Sequence, residues 1–145
     1  MNRSTKLQPV VKISKQQEKN AARLHADTLR QAEQQRKQLD ELIMYRNQYL
    51  KAFQSAAESG ISAVQMQDYR LFINRLDVAI EQQQQSVAHS QNKCDISQQE
   101  LIDKRSRSKI IDKIVENRQQ QENHILEKRE QRELEDLLHK NITKR

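Results

Sequence analysis

The chain has 145 residues, 34% hydrophobic and 3% aromatic against 32% charged, which is too few apolar side chains for a thick globular core; it can bury only a narrow seam. A single glycine rules out a glycine-rich phosphate loop, and no apolar run is long enough for a signal peptide or a membrane span, so no direct membrane insertion is expected. The net charge of +6 raises nucleic acid as a partner, yet acids and bases interleave along most of the second half, as in Glu127-Lys128-Arg129-Glu130-Gln131-Arg132-Glu133, and no nucleic acid is expected.

In chain order, a first helix is predicted from about Pro9, where a proline costs little in a first turn, to Glu58. Its seam reads Leu39, Ile43, Leu50, Phe53 and Ala57, with Arg46 as the polar exception, and thins toward the N-terminus to Val10, Ile13 and Leu24. Residues 59–62 form the turn. Gly60 suits the left-handed residue past a helix C-terminus, Ser62 with Gln65 is a capping box, and Ile61 with Met66 is placed as a hydrophobic staple. So short a connection favours antiparallel neighbours.

The second helix is predicted over about 63–140, with a frayed C-terminus. Ile73, Ile80, Val87, Cys94, Leu101, Ser108 and Val115 make a heptad a-row. The d-row, Tyr69, Leu76, Gln83, Ser90, Ser97, Lys104, Ile111, Arg118 and Ile125, is apolar near the turn and polar through its middle. The expected fold is all-α: a single domain over 1–145, two long helices forming an antiparallel coiled-coil hairpin, the second longer and overhanging the first by roughly 30 residues. Pairing about the turn sets Phe53 opposite Asp68 and Tyr69, Leu50 near Leu71, and Ile43 near Val78. The apolar layers near Gly60 supply most of the packing energy.

Each helix carries a second apolar stripe beside its seam: Gln38, Leu42, Tyr45, Tyr49 and Ala56 on the first, Phe72 and Ala79 on the flank of Leu76 on the second. One hairpin cannot bury both stripes, and an exposed aromatic patch is the mark of a docking site. The alternative is a rotated coil that takes Leu42 and Tyr49 into the seam and leaves the other line at its margin.

No catalytic constellation is visible. His89 and Cys94 lie on different faces of their helix, Asp136 and His139 share only a charged terminal turn, and Cys94 at an a position is a small hydrophobe of the seam. A lone cysteine allows no internal disulfide and points to a reducing, cytoplasmic location. The chain is expected not to be an enzyme and to need no cofactor or metal.

The ordered set Leu42-Ile43-x-Tyr45-x-Asn47-x-Tyr49, then Gly60-Ile61, then Tyr69-x-x-Phe72-Ile73-x-x-Leu76-x-x-Ala79-Ile80-Glu81-Gln82 resembles the flagellar export protein FliJ family, the match covering about Gln38 to Gln82. The resemblance implies a non-enzymatic stalk of the flagellar type III export apparatus, acting at the cytoplasmic side of the membrane. Its open end, made by both termini, would insert into the ring of the flagellum-specific export ATPase and promote ring assembly. It further implies that Gln38, Leu42, Tyr45, Tyr49, Phe72, Leu76 and Ala79 contact FlhA, the membrane protein of the export gate, and that the stalk escorts export chaperones. Gln83 stands where the family pattern has a histidine. Competing readings are the stalk of a virulence type III secretion system and a homodimeric coiled-coil scaffold; the stalk reading expects a monomer when free.

Overall fold

The computed structural model describes residues 3–143, all of them in helices apart from Leu7 and the turn at 60–62. A one-turn helix α1 (Arg3–Lys6) leads into α2 (Gln8–Ser59, 52 residues), and α3 (Ala63–Thr143, 81 residues) follows the turn. The fold is an all-α antiparallel hairpin with the longer helix second.

Two breakers place these boundaries. Pro9 has no N–H to offer Thr5, so the helical ladder is interrupted at Leu7, where the Leu7 amide donates to Ser4 O at 3.2 Å and the Val11 amide resumes the ladder to Leu7 O at 3.0 Å. The first helix therefore begins before the proline. Gly60 has φ +87°, the left-handed conformation that a side chain disfavours, and its amide donates to Ala57 O. Across the turn the capping box closes in both directions: Ser62 N donates to Gln65 Oε1, and Gln65 N to Ser62 Oγ, each at 3.2 Å.

The helices pack as two compact units. The turn unit, Ala22–Glu100, buries Leu76, Cys94 and Ser97 of α3 and half-buries Tyr69, Ile73, Ile80, Gln83 and Val87, all on the a- and d-rows. The seam of α2 differs from the predicted line. Leu39, Leu50 and Phe53 are half-buried as expected, but Ile43 and Ala57 are exposed, and Leu42, Tyr49 and Ala56 are half-buried beside the predicted line. Inward positions on α2 run Thr28, Ala32, Gln35, Leu39, Leu42, Arg46, Tyr49, Phe53, Ala56, an alternation of three- and four-residue steps that bisects the two predicted stripes. Val10, Ile13 and Leu24 are exposed, as are Leu71 and Val78, the residues expected to meet Leu50 and Ile43.

The termini unit joins the residues up to Ala21 with those from Leu101 onward. Its seam is made of small and short side chains: Ser4, Ser14 and Ala21 are buried on one side, Leu101, Ser108 and Val115 on the other. Such layers remove little apolar area from water, and polar contacts supplement them. Lys15 Nζ meets Asp112 Oδ2 at 2.9 Å and Arg105 Nε approaches Glu18 Oε1 at 3.9 Å. Among the described residues the last paired layer is Ser4, whose amide and hydroxyl donate to the Glu122 carboxylate at 3.0 and 2.6 Å. Beyond Glu122 every described residue of α3 is exposed, including Ile125 of the predicted d-row. The overhang, residues 123–143, is shorter than predicted because α1 carries the pairing past Pro9.

Candidate functional site: the aromatic margin of the turn unit

All five aromatic residues of the chain form one ladder across the two helices of the turn unit. Ring centroids step from Phe53 to Tyr69 at 5.2 Å, to Tyr49 at 5.3 Å, to Phe72 at 4.4 Å and to Tyr45 at 6.1 Å, the last pair edge-to-face. These separations lie within the favourable range for aromatic pairs. The ladder begins in the seam and climbs out of it, since Phe53, Tyr69 and Tyr49 stand at core positions whereas Phe72 and Tyr45 each precede one.

That geometry divides the seven residues of the expected docking patch. Leu76 is buried, and Leu42 and Tyr49 are half-buried in the seam. Gln38 is exposed and Tyr45 is 49% exposed; Phe72 and Ala79 line the same margin, half-buried. The surface is thus narrower than the stripe suggested, with Leu42, Tyr49 and Leu76 supporting it from below. Beside Tyr45 lies a shallow groove lined by Gln38, Glu41, Leu42, Tyr45 and Gln83. Gln83 walls one end of it, its amide donating to Gln35 O at 2.9 Å and Gln35 Oε1 at 2.8 Å.

The opposite margin is polar. Arg46 pairs with Asp77 and Arg36 donates to Gln91, which closes that side with hydrogen bonds and leaves the aromatic margin as the apolar one. Farther from the turn the seam becomes polar as well. Thr28 Oγ1 and Ser97 Oγ lie 2.6 Å apart, His25 Nδ1 is 3.3 Å from the same Ser97 oxygen, and Ser97 donates to Cys94 O at 2.8 Å. A buried polar layer of this kind favours one register over its neighbours. Sequence periodicity does not show it, because serine and threonine are read there simply as weak core residues.

Among the described residues no cluster of His, Cys, Asp or Glu could hold a metal ion, and no helix is long and apolar enough to cross a membrane. Two carboxylate contacts perturb their partners. The hydrogen bonds from Ser4 hold the Glu122 carboxyl below the usual carboxylate range, and the hydrogen bond to Asp112 raises the Lys15 ammonium above its ordinary value.

The chain matches the family described as Flagellar FliJ protein over residues 3–143. It is 30% identical over 95 residues to the Flagellar FliJ protein of Escherichia coli (strain K12), an alignment covering 66% of this chain and 65% of that protein, just under two thirds of its length. No solved structure matches. A family match that spans the hairpin from α1 through the turn to the end of α3, together with the tyrosine and phenylalanine series now seen as one ladder, shows that the chain belongs to the flagellar FliJ family.

Proposed function

We propose that the chain is a non-enzymatic component of flagellar type III protein export, a stalk that contacts the export ATPase ring with its termini unit and the FlhA export gate with its turn unit. The observation that carries this reading is the margin of Tyr45, Phe72 and Ala79 with Gln38 beside it, the exposed and half-buried part, outside the seam, of the set that family resemblance assigns to the gate. Its aromatic anchors are held by stacking, so little side-chain freedom is lost when a partner covers them. The overhang suits the ring: an exposed, charged helix whose side chains govern orientation and on-rate more than affinity. Chaperone escort belongs to the same proposal, as does a position at the cytoplasmic side of the membrane through these partners.

The test separates docking from folding. Tyr45→Ala is expected to lose binding to purified FlhA while keeping helicity and stimulation of the ATPase; retained FlhA binding would sink the gate assignment. Membership of a flagellar family favours the flagellar over the virulence apparatus. The homodimeric scaffold makes a different prediction, a sedimentation coefficient that rises with concentration, where the stalk expects a monomer.

A further inference from the structure

The termini unit has a second apolar margin, and its surroundings are basic. In that unit Val10 and Ile114 each directly precede a core position, Val11 and Val115, the relation that Tyr45 and Phe72 bear to Arg46 and Ile73 in the turn unit. In an antiparallel pair such residues lie on one side of the seam, as the Tyr45–Phe72 contact demonstrates. The other side is occupied by the Lys15–Asp112 ion pair. Ile13 and Ile110 flank this pair one helical turn away, farther from the seam. Exposure follows the geometry: 44% and 42% for Val10 and Ile114, 59% and 61% for Ile13 and Ile110. Four β-branched aliphatic side chains, two from each helix, therefore form one strip with nothing over it among the described residues.

Charge indicates what covers it. Residues 3–21 and 101–122 hold eleven Lys and Arg against five Asp and Glu, an excess equal to the net +6 of the whole chain, whereas Ala22–Glu100 holds nine against ten. On the face of the strip itself the charges are Lys6 and Arg107 beside the aliphatic residues, with Arg3 at one end and Asp103 at the other, each two turns from the strip residue on its own helix. A second copy of the chain would bring the same basic surround to the contact, which like-charge repulsion opposes. Duplex DNA or an anionic membrane would answer the charge but makes poor use of a narrow aliphatic strip between two helices, whereas a third helix laid along the pair fills it with its own apolar residues.

We infer that this margin of the termini unit docks an acidic amphipathic helix of a partner protein, its leucine- or isoleucine-type face on Val10, Ile13, Ile110 and Ile114 and its carboxylates beside Arg3, Lys6 and Arg107. The site is distinct from the aromatic margin and makes no use of the overhang.

The experiment uses the full chain and two fluorescent synthetic helices with the same leucine pattern, one flanked by glutamate and one by lysine, followed by anisotropy. The glutamate helix is expected to bind saturably, more than tenfold tighter than the lysine helix, with affinity falling as salt rises. Val10→Asp with Ile114→Asp is expected to weaken it at least tenfold, and Tyr45→Ala to leave it unchanged. If that double variant loses helicity, Ile13→Ser with Ile110→Ser, at the more exposed positions, carries the same expectation. Equal binding of the two helices, unchanged binding by a folded variant, tighter binding to phosphatidylserine vesicles or duplex DNA, or self-association abolished by the same substitutions would each overturn the inference. ATPase stimulation, measured separately, reports on the stalk reading and not on this one.

Discussion

At single positions, the two ends of the helical pairing are closed by different chemistry. Gly60 closes one by backbone conformation alone: a Cβ built there meets nothing within 4 Å, so Gly60→Ala introduces strain without a clash. At φ +87° the substitution is expected to destabilise the hairpin by about 1–2 kcal/mol, read from the urea midpoint. Glu122 closes the other end by accepting two hydrogen bonds from Ser4. Its carboxyl titrates lower in the folded chain than in the unfolded one, so its contribution is present above the unfolded value and is lost as pH falls through the folded value. Amide protection at Ser4 and Leu7 is therefore expected to be higher at neutral pH than in acid, whereas Glu122→Gln loses that pH dependence. Lys15, raised by Asp112, carries the opposite sign: its contribution fades only as the solution becomes strongly alkaline.

Along the elements, α3 was legible and α2 was not. Heptad rows on α3 run in one series from Tyr69 to Val115, and the inward residues of the structure follow them, including the polar Gln83, Ser97 and Lys104. On α2 two apolar lines about 90° apart satisfy helical periodicity equally well, Ile43-Leu50-Ala57 and Leu42-Tyr49-Ala56. The seam falls between them because Tyr49 packs on Tyr69 alongside the expected Phe53 contact, which turns the Leu42–Tyr49–Ala56 line inward. The same rotation moves Leu42 and Tyr49 of the expected docking patch into the seam, above the already buried Leu76. Leu76→Ala is accordingly expected to lose about 2–4 kcal/mol and lower the thermal midpoint. Tyr45→Ala, on the margin, is expected to stay within about 1 kcal/mol of the parent in the same melt. The polar margin of Arg46 with Asp77 lay outside what periodicity can predict, since an arginine in an apolar row signals a partner without naming it.

For the molecule as a whole, side-chain chemistry separates by region. The turn unit holds the aromatic ladder and close to balanced charge; the paired part of the termini unit holds small core residues and the excess of basic ones. α3 then continues alone from residue 123 to Thr143. Truncation after Glu122 keeps every paired layer and the Ser4 contact. It is expected to leave the helical hairpin folded by circular dichroism while abolishing stimulation of the export ATPase; a truncated chain that still stimulates would move the ring contact to the paired segment.

The amino-acid sequence by itself determined the breaker, the direction of the return, the heptad rows of α3 and the family, because each depends on local conformational preference or on a pattern within one helix. Only the tertiary structure decided which face of α2 is inside. That choice rests on how side chains of one helix fit between those of the other, and a helix with two adjacent apolar stripes holds no record of its rotation until Tyr69 and Phe72 are placed against it.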